Sequence, residues 1–229
     1  MSINYAEFTL KFNQLFGDEW HFIYQQNKQR LSLKNQRIAT TKLATIIPAV
    51  FRISKNQSFR GMTVRDLSIE TNISMGGLYK YFTHKEDLIM MIHRALVAMT
   101  EQLLLSQQDP DPLTAIDQLL VYHLYISERL NRWFYFVFME AKHLDKPVLN
   151  QFVASEQLLE QALIGHIETA QQQHLCQCDN PFLTATVFKA VLQEWYLKSH
   201  KYQSKHINLE QYKQHLLDLR QQILPTLKP

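Results

Sequence analysis

Between Thr63 and Leu88 the sequence reads TVRDLSIETNISMGGLYKYFTHKEDL, and few structures accommodate that stretch. Thr63-x-x-Asp66 and Thr83-x-x-Glu86 each have the pattern of a capping box, in which the hydroxyl accepts from a first-turn N–H and the carboxylate reaches back. They predict helix starts at Val64 and His84. Asn72 follows after barely two turns and can take the left-handed conformation of a sharp bend. Ile73 then plugs the angle, and Ser74 can cap a second helix beginning near Met75. The result is a helix-turn-helix with Val64, Leu67, Leu78 and Phe82 inward and Met75, Gly76, Gly77 and Lys80 outward. Two glycines in a first turn cost about 1 kcal/mol each relative to alanine. That loss is offset where bare backbone presses against another surface or meets a phosphate. A plain break between two helices would use the same residues.

The remaining chain contains few interruptions. Five glycines and seven prolines in 229 residues do not suit a protein of strands and turns, and 46% apolar residues exclude a disordered one. The expected fold class is all-α. Asp111-Pro112, Asp145 to Pro147, Asp179 to Pro181 and Asn208-x-x-Gln211 mark further helix starts. Helices are expected over 85–107, 112–130, 147–173, 181–200 and 208–223, with a short aromatic one over 131–143. Upstream, 35–54 has helical spacing in Ile38, Leu43, Ile46, Ile47, Val50 and Phe51, with Pro48 expected to kink it or end a turn. The first 33 residues are rich in aromatics, including Phe8, Phe12, Phe16, Trp20 and Tyr24, and Gly17-Asp18 reads as a break between two short helices. Their polar residues are largely Gln and Asn, so docking on the chain's own body is favoured over a membrane-surface or partner-binding helix. No apolar run reaches the roughly 18 residues that span a bilayer, and no secretory leader is visible, so a cytoplasmic protein without a membrane partner is expected. Cys176 and Cys178 make no disulfide framework, in keeping with a reducing compartment.

Charge is distributed unevenly. From Lys34 to Arg94 ten basic residues stand against four acidic ones, a segment of +6 in a chain of +3. A basic segment beside an acidic remainder suits one part that meets a polyanion and another that does not, although a solvated basic face has the same signature.

Thr63-Val64-x-Asp66-Leu67, followed by Ile73-Ser74-x-Gly76-x-Leu78-Tyr79-x-Tyr81-Phe82-x-x-Lys85-Glu86-x-Leu88, resembles the DNA-binding signature of the tetracycline-repressor (TetR) family of transcriptional regulators. The resemblance implies that Thr63, Tyr79 and Lys85 hold phosphates of double-stranded DNA, and that Ser74, Met75, Gly76, Gly77 and Lys80 lie in the major groove. It also implies a three-helix DNA-binding domain over 34–84, preceded by an aromatic-rich extension over 1–33. A helical effector-binding and dimerisation domain would occupy 85–229. Departures are Ser68 for a small apolar residue, Asn72 for glycine, Gly77 for threonine, Pro48 inside the first helix, and the extension itself. A homodimer on a roughly palindromic operator follows, with Phe182, Val187, Val191, Trp195, Leu209, Leu216 and Leu219 spaced for an intersubunit four-helix bundle.

For the effector, the segment RWFYFVFMEAKH supplies more aromatic surface than one core stripe uses. Trp133, Phe136 and Phe138 are candidate lining residues with Glu140, Tyr122, His123 and Trp195, and the expected ligand is a largely hydrophobic small molecule. An aromatic core fits the same segment. Glu140 either pairs with Arg132 or Lys142 at the surface or serves as a polar anchor. His174-x-Cys176-x-Cys178 lacks a fourth ligand for a tetrahedral metal, so neither metal nor cofactor is expected. No nucleophile elbow, phosphate-binding loop or HExxH motif occurs, and an enzyme is not expected. The competing expectation is a helical interaction protein of the same fold acting through a protein partner by its aromatic extension, with weak or non-specific DNA binding.

Overall fold

The computed structural model describes residues 3–33, 35–106, 109–141, 144 and 146–227, and every regular element among them is a helix. In chain order these are α1 (Tyr5–Phe16), α2 (Glu19–Asn27), α3 (Gln36–Gly61), α4 (Val64–Thr71), α5 (Met75–Leu78) and α6 (Glu86–Leu105). They continue with α7 (Pro112–Arg129), α8 (Asn131–Ala141), α9 (Lys146–Gln172), α10 (Pro181–Leu197), α11 (Ser199–Ser204) and α12 (Leu209–Ile223). No helix among the described residues is long and apolar enough to cross a membrane.

Most of the caps read from sequence are made. Asp111 accepts from the Thr114 N–H at 2.9 Å with Pro112 in the first turn, and Asn180 does the same for Leu183 ahead of α10 at 3.0 Å. Asn208 and Gln211 form a reciprocal capping box. Two expectations are corrected. The start of α6 is capped by Asp87, whose carboxylate accepts from both Thr83 and His84 at 2.9 Å, in place of Glu86. The helix expected over 181–200 stops at Leu197, because Lys198 leaves helical geometry (φ −129°, ψ 34°) and a separate α11 begins. The start signal at Asp145 and the charges of Lys34 and Lys142 lie outside the described residues.

Pro48 does not end α3. Leu43, Ile46, Ile47 and Val50 are sealed along one face, and that apolar face holds the helix together past the proline. The departure from helical geometry comes at Ser58 (φ 60°, ψ 157°). Gly17 carries the positive φ that turns α1 into α2, as its position between two helical patterns predicts.

Packing divides the chain into two compact units whose membership does not follow chain order. One unit contains Phe12–Met99 and Arg132–Phe152, and the other contains Met1–Lys11, Thr100–Asn131 and Val153–Pro229. The expected boundaries at 33 and 84 are therefore not the boundaries of compact packing. In the first of these units α2 packs on α3, α3 on α4, and α4 on α5. The aromatic helix α8 belongs here: Phe136 sits between Phe51 (5.2 Å between ring centroids) and Phe59 (5.6 Å), and Trp133 meets Trp20 at 5.8 Å.

In the other unit α7 packs against α10 and α12 and is buried on nearly every side, through Ile116, Leu119, Leu120, Leu124 and Tyr125 among others. Asp117 makes a two-pronged ion pair with the buried Arg220 of α12, at 2.6 and 2.5 Å. Such a pair is costly to break from one side, by about 3 to 5 kcal/mol, because the other charge is left buried. Phe8 is sealed against Tyr122 and Tyr125, and the Tyr5 N–H donates to the Glu210 carboxylate at 3.3 Å. Phe12, Phe16, Ile23 and Tyr24 are likewise buried. The extension thus docks on the chain's own body through these buried aromatic residues.

Candidate nucleic-acid interface

The stretch from Thr63 to Phe82 folds into two short helices with a sharp turn, each part explained by its residues. Thr63 and Asp66 close the capping box: the Asp66 N–H donates to the threonine hydroxyl at 3.1 Å, and the Thr63 N–H donates to the carboxylate at 2.8 Å. Hydrogen bonds from the Thr63 backbone and hydroxyl hold the Asp66 carboxyl below its ordinary pKa. Asn72 is left-handed (φ 52°, ψ 36°) and ends α4, Ile73 fills the angle, and the Ser74 hydroxyl caps α5 by accepting from Gly77 at 3.2 Å. Leu67, Leu78 and Phe82 are buried and Val64 is half-buried.

The outward groups separate into two kinds. Met75, Gly76, Tyr79 and Lys80 are exposed, with Tyr79 retaining 51% of its surface. A Cβ added to Gly76 would meet nothing within 4 Å, so this backbone is open to an approaching surface. Gly77 differs. A Cβ there would lie 2.9 Å from Ile73 Cγ2 and 3.2 Å from Ser74 Oγ, so a side chain at this position crowds the turn as it is packed here. Ser74 and Thr63 are exposed, but their hydroxyls are engaged as caps. The Lys85 ammonium is half-buried and donates to three carbonyls at the end of α3: Phe59 (3.3 Å), Arg60 (2.6 Å) and Met62 (3.0 Å). It neutralises the negative end of that helix, the interaction expected of a cation at a helix C-terminus.

Two supports of the turn escaped the sequence reading. The Ser68 hydroxyl donates to the Ile73 carbonyl at 2.6 Å, so the departure from a small apolar residue fastens α4 to the turn. The Ser32 N–H donates to the Lys80 carbonyl at 3.2 Å, tying the extension to the end of the second helix. A serine one helical turn before Asn72 hints at the first; nothing in the sequence marks the second.

The candidate effector residues are divided between the units, with Trp133, Phe136, Phe138 and Glu140 in one and Tyr122, His123 and Trp195 in the other. Most have partners within the chain. Glu140 is buried and accepts from the Phe59 N–H at 3.4 Å, beside the break at Ser58. The Trp195 indole N–H donates to Glu128 at 2.8 Å while its ring packs on Tyr202 and Tyr212. The Tyr122 hydroxyl accepts from Lys11 at 3.1 Å. Burial, and secondarily the charge of Lys189, lowers the His123 pKa to about 4. Phe138 is half-buried.

On α10 and α12, Trp195 and Leu216 are buried, Leu209 is half-buried, and Phe182 and Val187 are exposed. Val187, Ala190, Val191, Ile207 and Leu219 line an open, mainly apolar groove of about 770 Å³. Cys176 is buried, and the Cys178 thiol meets the Thr184 hydroxyl at 3.2 Å. Among the described residues no three His, Cys, Asp or Glu side chains are grouped to hold a metal ion.

No protein-family model and no curated protein sequence matches the chain. Solved structures do match in fold. A bacterial regulatory protein in the tetR family from Rhodococcus RHA1 superposes with a TM-score of 0.67 at 12% identity, over 81% of this chain and 97% of that one. AibR in complex with isovaleryl coenzyme A and operator DNA gives 0.64 at 16% identity, over 80% and 98%. The transcriptional regulator FadR from Bacillus subtilis in complex with stearoyl-CoA gives 0.59 at 14% identity, over 77% and 96%. The chain has the all-helical fold of TetR-family regulators, with an N-terminal helix-turn-helix.

Proposed function

We propose that the protein is a sequence-specific DNA-binding transcriptional regulator rather than an enzyme, acting in the cytoplasm as a homodimeric repressor. The observation that carries this reading is the α4–turn–α5 arrangement, which exposes Met75, Gly76, Tyr79 and Lys80 beside a backbone that no side chain covers. Base contacts from Lys80 and Met75 would confer sequence preference, while Tyr79, Thr63 and the charge of Lys85 would fix the position on phosphates. Gly77 and Ser74 serve the same surface by shaping the turn. The exposed apolar groove of α10 and α12 supports a twofold dimer, since an equivalent face from a second copy would bury it. Two such subunits would place their recognition helices about one DNA turn apart on a roughly palindromic operator.

The effector in this reading is a largely hydrophobic small molecule that releases the operator, a reading supported by fold neighbours solved with coenzyme A thioesters. A hundredfold loss of DNA affinity requires about 2.7 kcal/mol of coupling between the two ligands. The experiment that tests the function is selection of bound duplexes from a random pool by the full chain, followed by screening of acyl thioesters and other apolar compounds for release. Enrichment of a two-half-site sequence supports the reading. Recovery of unenriched DNA only, at any salt concentration, contradicts it.

A further inference from the structure

Wholly within the unit that holds α2 to α5 lies a cavity of about 330 Å³ whose walls are mainly polar. It is set between the extension and the segment joining α5 to α6. Arg94 of α6 enters it as a half-buried guanidinium whose Nε donates to Asn27 Oδ1 at 2.8 Å. Asn27 is itself immobilised: it is 1% exposed, and its amide nitrogen donates to the Ile23 and Met91 carbonyls at 2.8 and 3.3 Å. One edge of the guanidinium is therefore pinned, and its terminal nitrogens have no hydrogen bond or ion pair among the described residues.

A second guanidinium, that of Arg30, lines the same cavity. Burial and then the Arg30 charge lower the Arg94 pKa, with Asp87 offsetting them in part. Asp87 also lines the cavity; its Oδ2 caps α6 by accepting from Thr83 and His84, and it forms no ion pair with either arginine among the described residues. The Tyr81 hydroxyl, on a residue 4% exposed, has no hydrogen-bond partner among the described residues, and burial raises its pKa so that it remains a donor. Two like charges and a phenol donor face one polar space that they share with a single carboxylate, one oxygen of which caps α6.

We propose that this cavity binds a small phosphorylated solute, held between Arg30 of the extension and Arg94 of α6 with Tyr81 as a third donor. A phosphate monoester has three terminal oxygens and close to two negative charges, enough to serve both planar forks and the phenol, where a carboxylate has two oxygens and one charge. The volume is at the lower end for ligand pockets and admits a phosphate on a small carbon skeleton. Phosphate groups of the DNA backbone have the same chemistry. However, the Tyr81 side chain is buried while Tyr79 and Lys80 are exposed, which favours a free solute inside the cavity over a duplex outside it.

The test is thermal melting of the full chain without DNA, titrated with inorganic phosphate against chloride at constant ionic strength. Phosphate is expected to raise the melting temperature of the parent, and Arg30→Gln and Tyr81→Phe are each expected to weaken the apparent phosphate affinity about tenfold. Arg30 is exposed, so its replacement leaves the fold intact, and Arg65→Gln on the outer side of α4 is the control that retains the response. An equal response in the parent and both cavity variants would overturn the site. A phosphate response that a duplex competes away, with Arg30→Gln weakening every duplex and lowering the salt slope by about 1, would assign these donors to the DNA backbone and overturn the solute.

Discussion

Lys85 donates from its ammonium to the Arg60 carbonyl at 2.6 Å, fastening the start of α6 to the end of α3. A positive charge next to α5 is therefore also a structural clasp. Replacing it with methionine keeps the stem and removes the charge-assisted bonds, which is expected to cost about 1.5 to 3 kcal/mol of stability. DNA affinity is expected to fall by a similar factor for every duplex, with the salt slope lowered by about 1. Denaturant midpoints report the clasp and salt titrations report the charge; an unchanged salt slope would leave Lys85 a purely structural residue.

Acid should weaken the fold before it affects the carboxylates. Burial holds His93, stacked on Phe152, and His123 neutral, with pKa values lowered to about 4 from an unfolded value of 6.5. The unfolded chain binds more protons at each site, so the stabilisation is full above about pH 6.5 and is lost as pH falls through the window to 4. At pH 5 each histidine is expected to cost about 2 kcal/mol relative to pH 7. Urea midpoints at the two pH values measure it, and His123→Gln should flatten the difference by roughly half.

Phe136 is 4% exposed and wedged between Phe51 and Phe59, so Phe136→Ala is expected to cost about 3 to 5 kcal/mol. Phe138, half-buried on the same helix, is the better probe of a ligand. If α8 contributes to effector binding, Phe138→Ala should reduce the response to an apolar effector while leaving effector-free DNA binding within about twofold. Thermal melts and DNA titrations on both variants separate packing from recognition.

A charge in the open groove tests assembly. Val187 is exposed on α10, so Val187→Glu should leave the folded subunit intact and prevent a second copy from covering the groove. Sedimentation at micromolar concentration is expected to give a dimer for the parent and a monomer for the variant. A parent that sediments as a monomer both free and on DNA would remove the twofold geometry.

The turn between α4 and α5 was legible because its determinants are local: a capping box, one left-handed Asn and one hydroxyl cap within twelve residues. The helices were legible for the same reason, through polar caps and apolar faces at helical spacing. The grouping of those helices was not. An aromatic run such as Trp133 to Phe138 announces that it will be buried, but only the three-dimensional arrangement pairs Phe136 with Phe51 and Phe59, residues far away in sequence. Glu140 could be read as a ligand anchor or a surface partner, and its acceptance of the Phe59 N–H depends on a helix break that no residue at Ser58 advertises. Arg30, Tyr81 and Arg94 are unremarkable in sequence and share a cavity only because Asn27 ties α2 to α6.

The adjacent glycines provide the most direct test of the proposed DNA-binding surface, since one faces open space and the other faces Ile73. The measurement is the affinity of Gly76→Leu and the parent for a selected duplex, with melting temperatures recorded alongside and Gly77→Ala as the internal contrast. Gly76→Leu is expected to melt at or above the parent temperature, since leucine favours helix over glycine by nearly 1 kcal/mol, yet to lose at least about thirtyfold in affinity for every duplex. Gly77→Ala is expected instead to lose about 1 to 3 kcal/mol of stability from overpacking against Ile73. A Gly76→Leu protein that binds the selected duplex as tightly as the parent would contradict the account, because DNA would then not approach the bare backbone at the start of α5.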